Sequence, residues 1–296
     1  MRGVVGVLAT PFDEHDRIDS NAMRANVRES LAFGVSGFLV PANVGEVQQL
    51  SPAERTLVVE TVLEETAGRV PVIGGATAAD QSGRIAAAKN LMRLGCRTVL
   101  AHVPYSENEP EAYERNILEL ADTGMEMLMV QEADPVSPGA PVEVIARLHQ
   151  QIPAFRWLKC EVNGRYRKIS ALREALGDSL LIGTAGPEYI EALDRGADAY
   201  MPTVFHDIYV RIFQWHNGGQ RQRARELFHK FLPVLAFSYS HNIYQFNKKM
   251  LVRRGIFPSA RLRVDLPLFD EWEERLADEL IEDAMRLSES LVSVDD

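Results

Sequence analysis

The chain has 296 residues, 46% of them hydrophobic and 25% charged, with a formal net charge of −10 and a mean hydropathy of −0.14. No apolar run approaches the roughly 18 residues of a membrane helix. The 32 basic residues are scattered along the chain, so neither a membrane nor a nucleic acid is the expected partner. Two cysteines, Cys96 and Cys160, make neither a disulfide framework nor a zinc-ligand spacing, and a reducing cytoplasm is the expected compartment.

The opening "MRGVVGVLATPFDEHD" has a basic residue and an apolar stretch, but Pro11 and acidic residues follow at once. Lacking a cleavage region, it reads as a first strand, not a signal peptide. Short β-branched or apolar runs then recur at a steady interval. The eight are 4–12, 37–42, 70–76, 98–104, 125–132, 155–161, 179–185 and 199–205. Between them lie helical patterns with start and stop signals. Ser51, Pro52 and Glu54 predict a capped helix with a capping box. A second helix runs from Asp80 to Gly95, and a third from Pro187 to Gly196. Strands alternating with helices of this length imply parallel β–α–β units. Eight of them predict an α/β fold, a (β/α)8 barrel over residues 1–217. A doubly wound sheet fits less well, because "LATPFDEHD" after the first strand has no glycine-rich dinucleotide fingerprint. Residues 218–296 read as an appended helical bundle, with Leu276, Leu280, Ala284, Leu287 and Leu291 as the apolar stripe of its last helix. The basic clusters 221–227 and 248–254 read as solvated helix faces.

Barrel enzymes carry their chemistry at the C-terminal ends of strands and in the loops just after them. There the sixth run, "FRWLKCE", places Lys159 within an apolar strand. Period-two alternation puts Trp157, Lys159 and Glu161 on one face and Leu158 and Cys160 on the other. On the fifth run Met127, Met129 and Gln131 share a face. If both faces point inward, Gln131 and Lys159 line one cavity. A poorly solvated lysine there favours its neutral form and becomes a nucleophile toward carbonyls; a Lys159–Glu161 ion pair would instead hold the proton on. After the second run "NVGE" offers the backbone N–H groups of Asn43, Val44 and Gly45 to an anion. That turn equally introduces the helix capped by Ser51.

With "ATPF" (9–12), "GEVQQLSPAER" (45–55), "VPVIGGA" (70–76), "VPY" (103–105), "LK" (158–159) and "RGADAYMP" (195–202), the chain resembles the superfamily of dihydrodipicolinate synthase and N-acetylneuraminate lyase, the class I Schiff-base aldolases. The resemblance covers essentially the whole chain, with Lys159 following Gly45 by 114 residues. It implies a homo-oligomer, a tetramer or dimer, and an imine between Lys159 and a small-molecule 2-oxo acid. It implies no metal and no organic cofactor. The synthases carry G-T-T-G-E in the first turn, where this chain has Asn43 and Val44 for the threonines, and a general acid/base tyrosine where it has Gln131. Their paired tyrosines are Tyr105–Ser106 here, and their carboxylate-binding arginine has no counterpart in 133–139. A true dihydrodipicolinate synthase is therefore not expected, since a glutamine cannot shuttle protons as a phenol can. "MVQEADPVSPG", Asn43 and Glu161 are similar to the 2-keto-3-deoxy-L-arabonate dehydratase-like branch.

The resulting expectation is a lyase acting on a 2-keto-3-deoxy sugar acid, with dehydration preferred. Lys159 is the nucleophile, Gln131 orients hydroxyls or a water, and Glu161 carries protons. Tyr105 is either a proton relay or a subunit-interface residue. Asn43, Val44, Gly45, Gly183 and Met201 bind substrate, and Glu46 is a structural support. The rival expectations are a pyruvate-releasing aldolase using the same imine and a non-catalytic 2-oxo-acid-binding relative.

Overall fold

In the computed structural model, which describes residues 1–292, the strand-like runs close into a barrel. Its strands are β1 (Gly3–Val7), β2 (Gly37–Val40), β3 (Val72–Gly75), β4 (Thr98–His102), β5 (Met127–Glu132), β6 (Phe155–Cys160), β7 (Leu181–Thr184) and β8 (Ala199–Tyr200). All pair in parallel, each with its sequence neighbour, and β8 closes on β1. The intervening helices are α1 (Ser20–Ala32), α2 (Pro52–Thr66), α3 (Gln81–Leu94), α4 (Pro110–Ala121), α5 (Val142–Gln151), α6 (Arg165–Leu176) and α7 (Tyr189–Asp194). Then follow α8 (His206–Asn217), α9 (Arg221–Ser240), α10 (Ile243–Arg253) and α11 (Glu271–Val292). The chain is a (β/α)8 barrel with C-terminal helices.

The local signals act as their chemistry requires. Ser51 accepts the Glu54 N–H at 3.3 Å, and Glu54 accepts the Ser51 N–H at 2.9 Å, so α2 starts where its first orphan donors are satisfied. Asp80 caps α3 by accepting the Gly83 N–H at 2.7 Å. The strands are shorter than the apolar runs that announced them. β1 ends at Val7, where 4–12 was expected; beyond it Leu8, Ala9 and Phe12 pack into the outer apolar layer and Phe12 bridges Ile18 in antiparallel fashion. β8 keeps two residues of the expected 199–205, since Pro202 has no N–H to extend the ladder.

Two apolar layers follow from period-two alternation. Val5, Val7, Leu39, Ile73, Leu100, Met129, Trp157, Ala199 and Met201 fill the barrel interior. Leu128, Val130, Leu158 and Cys160 face the helices instead. Burial in that outer layer pushes the Cys160 thiol up to about 12, which leaves it unreactive. The last helix turns most of the expected stripe inward, with Leu276 as the exception. Ala277, Ile281, Ala284 and Leu291 are buried, Leu280 and Leu287 pack partly, and Leu276 is exposed. The helix packs chiefly on α9 and α8.

Where β2 leads into its turn, it lies close over β3. A Cβ on Gly75 would sit 1.9 Å from the Pro41 carbonyl oxygen, a backbone atom that cannot swing away. Gly75→Ala is therefore expected to cost about 2–4 kcal/mol and to lower Tm by roughly 5–15 °C. A thermal melt within 2 °C of the parent would show that the two strands separate more freely than this.

Candidate active site

One rung of the barrel crosses five strands in register: His102 pairs with Gln131, Gln131 with Lys159, Lys159 with Gly183, and Gly183 with Ala199. It stands above the apolar plug made by Met129 and Trp157, at the C-terminal end of the strands. The expectation that Gln131 and Lys159 share an inward face holds, because each follows an interior residue by two positions. The Lys159 side chain is 9% exposed, and its ammonium nitrogen lies 2.8 Å from Glu161 Oε2. The same oxygen accepts a 2.7 Å hydrogen bond from Gln131 Nε2. The ion pair that the sequence held open is thus the arrangement present. Burial works against the charged form of Glu161, but the Lys159 charge and the hydrogen bonds from Lys159 and Gln131 outweigh it. They hold its carboxyl below the usual glutamate range. The pair's contribution to stability is accordingly whole above that range and is lost as the pH falls through the depressed value.

Two cavities meet at this pair. The first, about 280 Å³, opens beside the turn after β2 and is lined by Pro41, Asn43, Val44, Thr77, Gln131 and Pro135, among others. The second, about 140 Å³, runs under α9 and α10, past Met201, Thr203, Ser238, Tyr239 and Asn247. Lys159, Glu161, Val7 and Val44 line both. The turn itself (Asn43–Gly45) is a single tight helical turn. Its first N–H groups, those of Asn43 and Val44, have no acceptor inside such a turn. Gly45 does not line either cavity. Its N–H donates to the Ala42 carbonyl at 2.9 Å, and its own carbonyl accepts from Thr10 Oγ1 at 2.6 Å. Gly183 shares the rung with Lys159 yet stays behind Met201, whose methyl would lie 2.5 Å from any Cβ there. Tyr105 lines a separate cavity of about 80 Å³ with His102, Glu132 and Asp134, and its ring packs edge-on to Tyr113. That cavity does not include Lys159.

Sequence reading passed over several residues here. His102 follows Leu100 on the inward face of β4, a position that alternation alone would have flagged. Its imidazole is pushed below the ordinary histidine range by burial and by the charge of Arg84. Asn247, Ser238 and Tyr239 sit on helices far along the chain and carry no motif. Lys248, expected on a solvated face, is fully buried and ion-paired at 2.5 Å with Glu46. Glu46 also accepts the N–H groups of Arg263 and Val264 at 2.6 and 2.8 Å. It is a structural clasp, as the sequence suggested, and it locks the Asn43–Gly45 turn to the C-terminal helices. Among the described residues, no three His, Cys, Asp or Glu side chains are grouped to hold a metal ion, and no helix is long and apolar enough to cross a membrane.

A closed parallel barrel with a nearly buried lysine–carboxylate pair at the strand C-termini has the layout of a barrel enzyme. The particular family is shown by sequence: the dihydrodipicolinate synthetase family matches residues 1–281, and the chain belongs to it. An L-2-keto-3-deoxyarabonate dehydratase from Azospirillum brasilense is 27% identical over 276 residues, covering 90% of this chain and 89% of that protein. An N-acetylneuraminate lyase from Salmonella typhi is 28% identical over 232 residues, covering 76% and 75%. A 4-hydroxy-tetrahydrodipicolinate synthase structure from Methylacidiphilum fumariolicum superposes with a TM-score of 0.89 over 99% of both chains at 18% identity.

Proposed function

We propose that this protein is a Schiff-base-forming lyase that dehydrates a 2-keto-3-deoxy sugar acid through an imine on Lys159. The observation that carries the reading is the Lys159–Glu161 pair, 2.8 Å apart at the junction of two cavities. Its alignment with a 2-keto-3-deoxyarabonate dehydratase over most of both chains supports that substrate class. The substrate carboxylate lies on the Asn43 and Val44 N–H groups, and the C2 carbonyl meets Lys159. Glu161 takes a proton from the paired ammonium, and the freed amine adds to C2. The carbinolamine hydroxyl leaves as water with that proton, giving an iminium that keeps the positive charge beside the restored Glu161 carboxylate. The carboxylate that pairs with the ammonium pairs equally with the iminium. Glu161 then takes the C3 proton, and the C–H electrons form an enamine. Two opposite buried charges become two neutral groups, a step that a low-dielectric site does not resist. The enamine expels the C4 hydroxyl, which leaves as water with the proton from Glu161, and hydrolysis of the imine frees Lys159.

The test is borohydride trapping with pyruvate and with 2-keto-3-deoxy pentonates and hexonates, read by mass spectrometry of the peptide carrying Lys159. A full-length adduct lacking one water supports dehydration. A three-carbon adduct from a longer substrate would replace it with aldol cleavage. Folded protein that gives no adduct with any of these acids would end the imine reading and favour a non-catalytic binding role. Glu161→Gln keeps the shape and the contact with Gln131 but cannot carry a proton. It is expected to lower kcat by about 10²–10⁴-fold while an adduct at Lys159 still forms. A variant with undiminished kcat would assign the proton transfer to another group.

A further inference from the structure

We infer that the cavity under α9 and α10 reads a neutral, hydroxyl-bearing substrate tail, and that Asn247 is the residue that recognises its terminal hydroxyl. The inference rests on the proposed lyase reading and narrows its substrate class. Asn247 is 3% exposed and lines the cavity that Lys159 and Glu161 close at its other end. Its side-chain amide nitrogen is buried with no hydrogen-bond partner. A buried donor left unpaired is costly and rare, and Asn247 is a wall residue of the cavity that reaches Lys159. A hydroxyl at that position accepts the amide hydrogen and ends the penalty. The cavity offers Ser238 and Thr203, both buried, as further hydroxyl partners.

The charges on the walls define what the tail cannot be. Among the described residues, Lys159 is the only cation lining this cavity, and it is committed to the imine; Glu161 is the only carboxylate. Arg165 stands nearby, but its guanidinium donates to the Ala185 carbonyl at 2.7 Å and does not line the space. A phosphate or a second carboxylate placed there would be desolvated without a counter-charge and would face Glu161. The substrates are therefore unphosphorylated monoacids, and sugar diacids and phosphorylated 2-keto-3-deoxy acids are excluded.

The experiment compares wild type and Asn247→Ala on a 2-keto-3-deoxy pentonate, its terminally deoxygenated analogue and its terminal phosphate ester. Wild type is expected to lose about tenfold in kcat/KM on the deoxy analogue and at least 100-fold on the phosphate ester. Asn247→Ala should lose the same tenfold on the parent substrate, mostly in KM, and nothing more on the deoxy analogue. Its borohydride adduct with pyruvate, which has no tail, should form as in wild type. Equal kcat/KM of wild type and variant on the parent, or ready turnover of the phosphate ester, would overturn the inference. If wild type forms no imine, calorimetry with the unreactive 3-deoxypentonate gives the same comparison. Tighter binding to wild type than to Asn247→Ala would then support the tail site while the lyase reading fell; equal binding would overturn both.

Discussion

Changing Lys159 to methionine is expected to lower turnover of a 2-keto-3-deoxy sugar acid by roughly 10⁴-fold or more and to abolish the borohydride-stable adduct. Methionine keeps the length and the apolar stem over Trp157 but offers no nucleophile. The variant leaves Glu161 facing Gln131 without its cation. Because the Glu161 side chain is 19% exposed, the carboxylate can take up a proton in preference to unfolding the barrel. The double change Lys159→Met with Glu161→Gln removes both charges at constant volume and so separates folding from chemistry. Circular dichroism and thermal melts should place the double variant close to wild type while it remains inactive. Turnover within tenfold of wild type in a folded Lys159→Met variant would remove the lysine from the mechanism.

The second large effect lies away from the reacting atoms. Lys248→Ala should destabilise the protein by about 3–5 kcal/mol, the usual cost of leaving one member of a buried ion pair alone. Glu46 and Lys248 both have fully buried side chains. The Lys248 ammonium also lies 4.2 Å from the Phe12 ring centroid, so truncation removes a cation–π contact with the pair. Glu46 would retain the N–H groups of Arg263 and Val264 but not its counter-ion. Denaturant unfolding of the parent, Lys248→Ala and the double change Glu46→Gln with Lys248→Met measures this directly. The double variant is expected to recover a substantial part of the loss, because it buries no lone charge. If Lys248→Ala unfolds within 1 kcal/mol of the parent, the clasp is not what secures the turn.

Much of this architecture was legible beforehand because it is written in short periods. Strand and helix alternated at a regular spacing, caps at Ser51 and Asp80 marked helix starts, and period-two alternation alone put Lys159 beside Gln131. The same rule would have picked out His102, two residues after Leu100, had it been applied to every strand. What escaped was set by long-range packing. Nothing near Asn247 or Lys248 tells that one residue lines the cavity shared with Lys159 while the adjacent ammonium pairs with a glutamate 202 residues earlier. A "KKMLVRR" cluster looks solvated until a buried carboxylate is known to face it. The stripe on the last helix packs as expected except at Leu276, with Ala277 and Ile281 buried beside it. Apolar spacing leaves the edge of a helix face open, and the neighbouring helices fix it. Position in the chain marks Gly45 as an anion donor and Gly183 as a lining residue. Yet the Gly45 N–H is taken by the Ala42 carbonyl and Gly183 lies behind Met201, which no spacing rule reveals.

The clasp from Glu46 to Lys248, Arg263 and Val264 also orders events during synthesis. A chain emerging from the ribosome completes all eight strands by Tyr200 and can begin to close its barrel. Glu46 then waits without its partners until residues as late as Val264 have left the exit tunnel. Over that interval the Asn43–Gly45 turn is unsecured and the cavity wall bearing Asn247 is incomplete. Lys159 and its strand neighbours are thus synthesised well before the residues that secure the turn beside them.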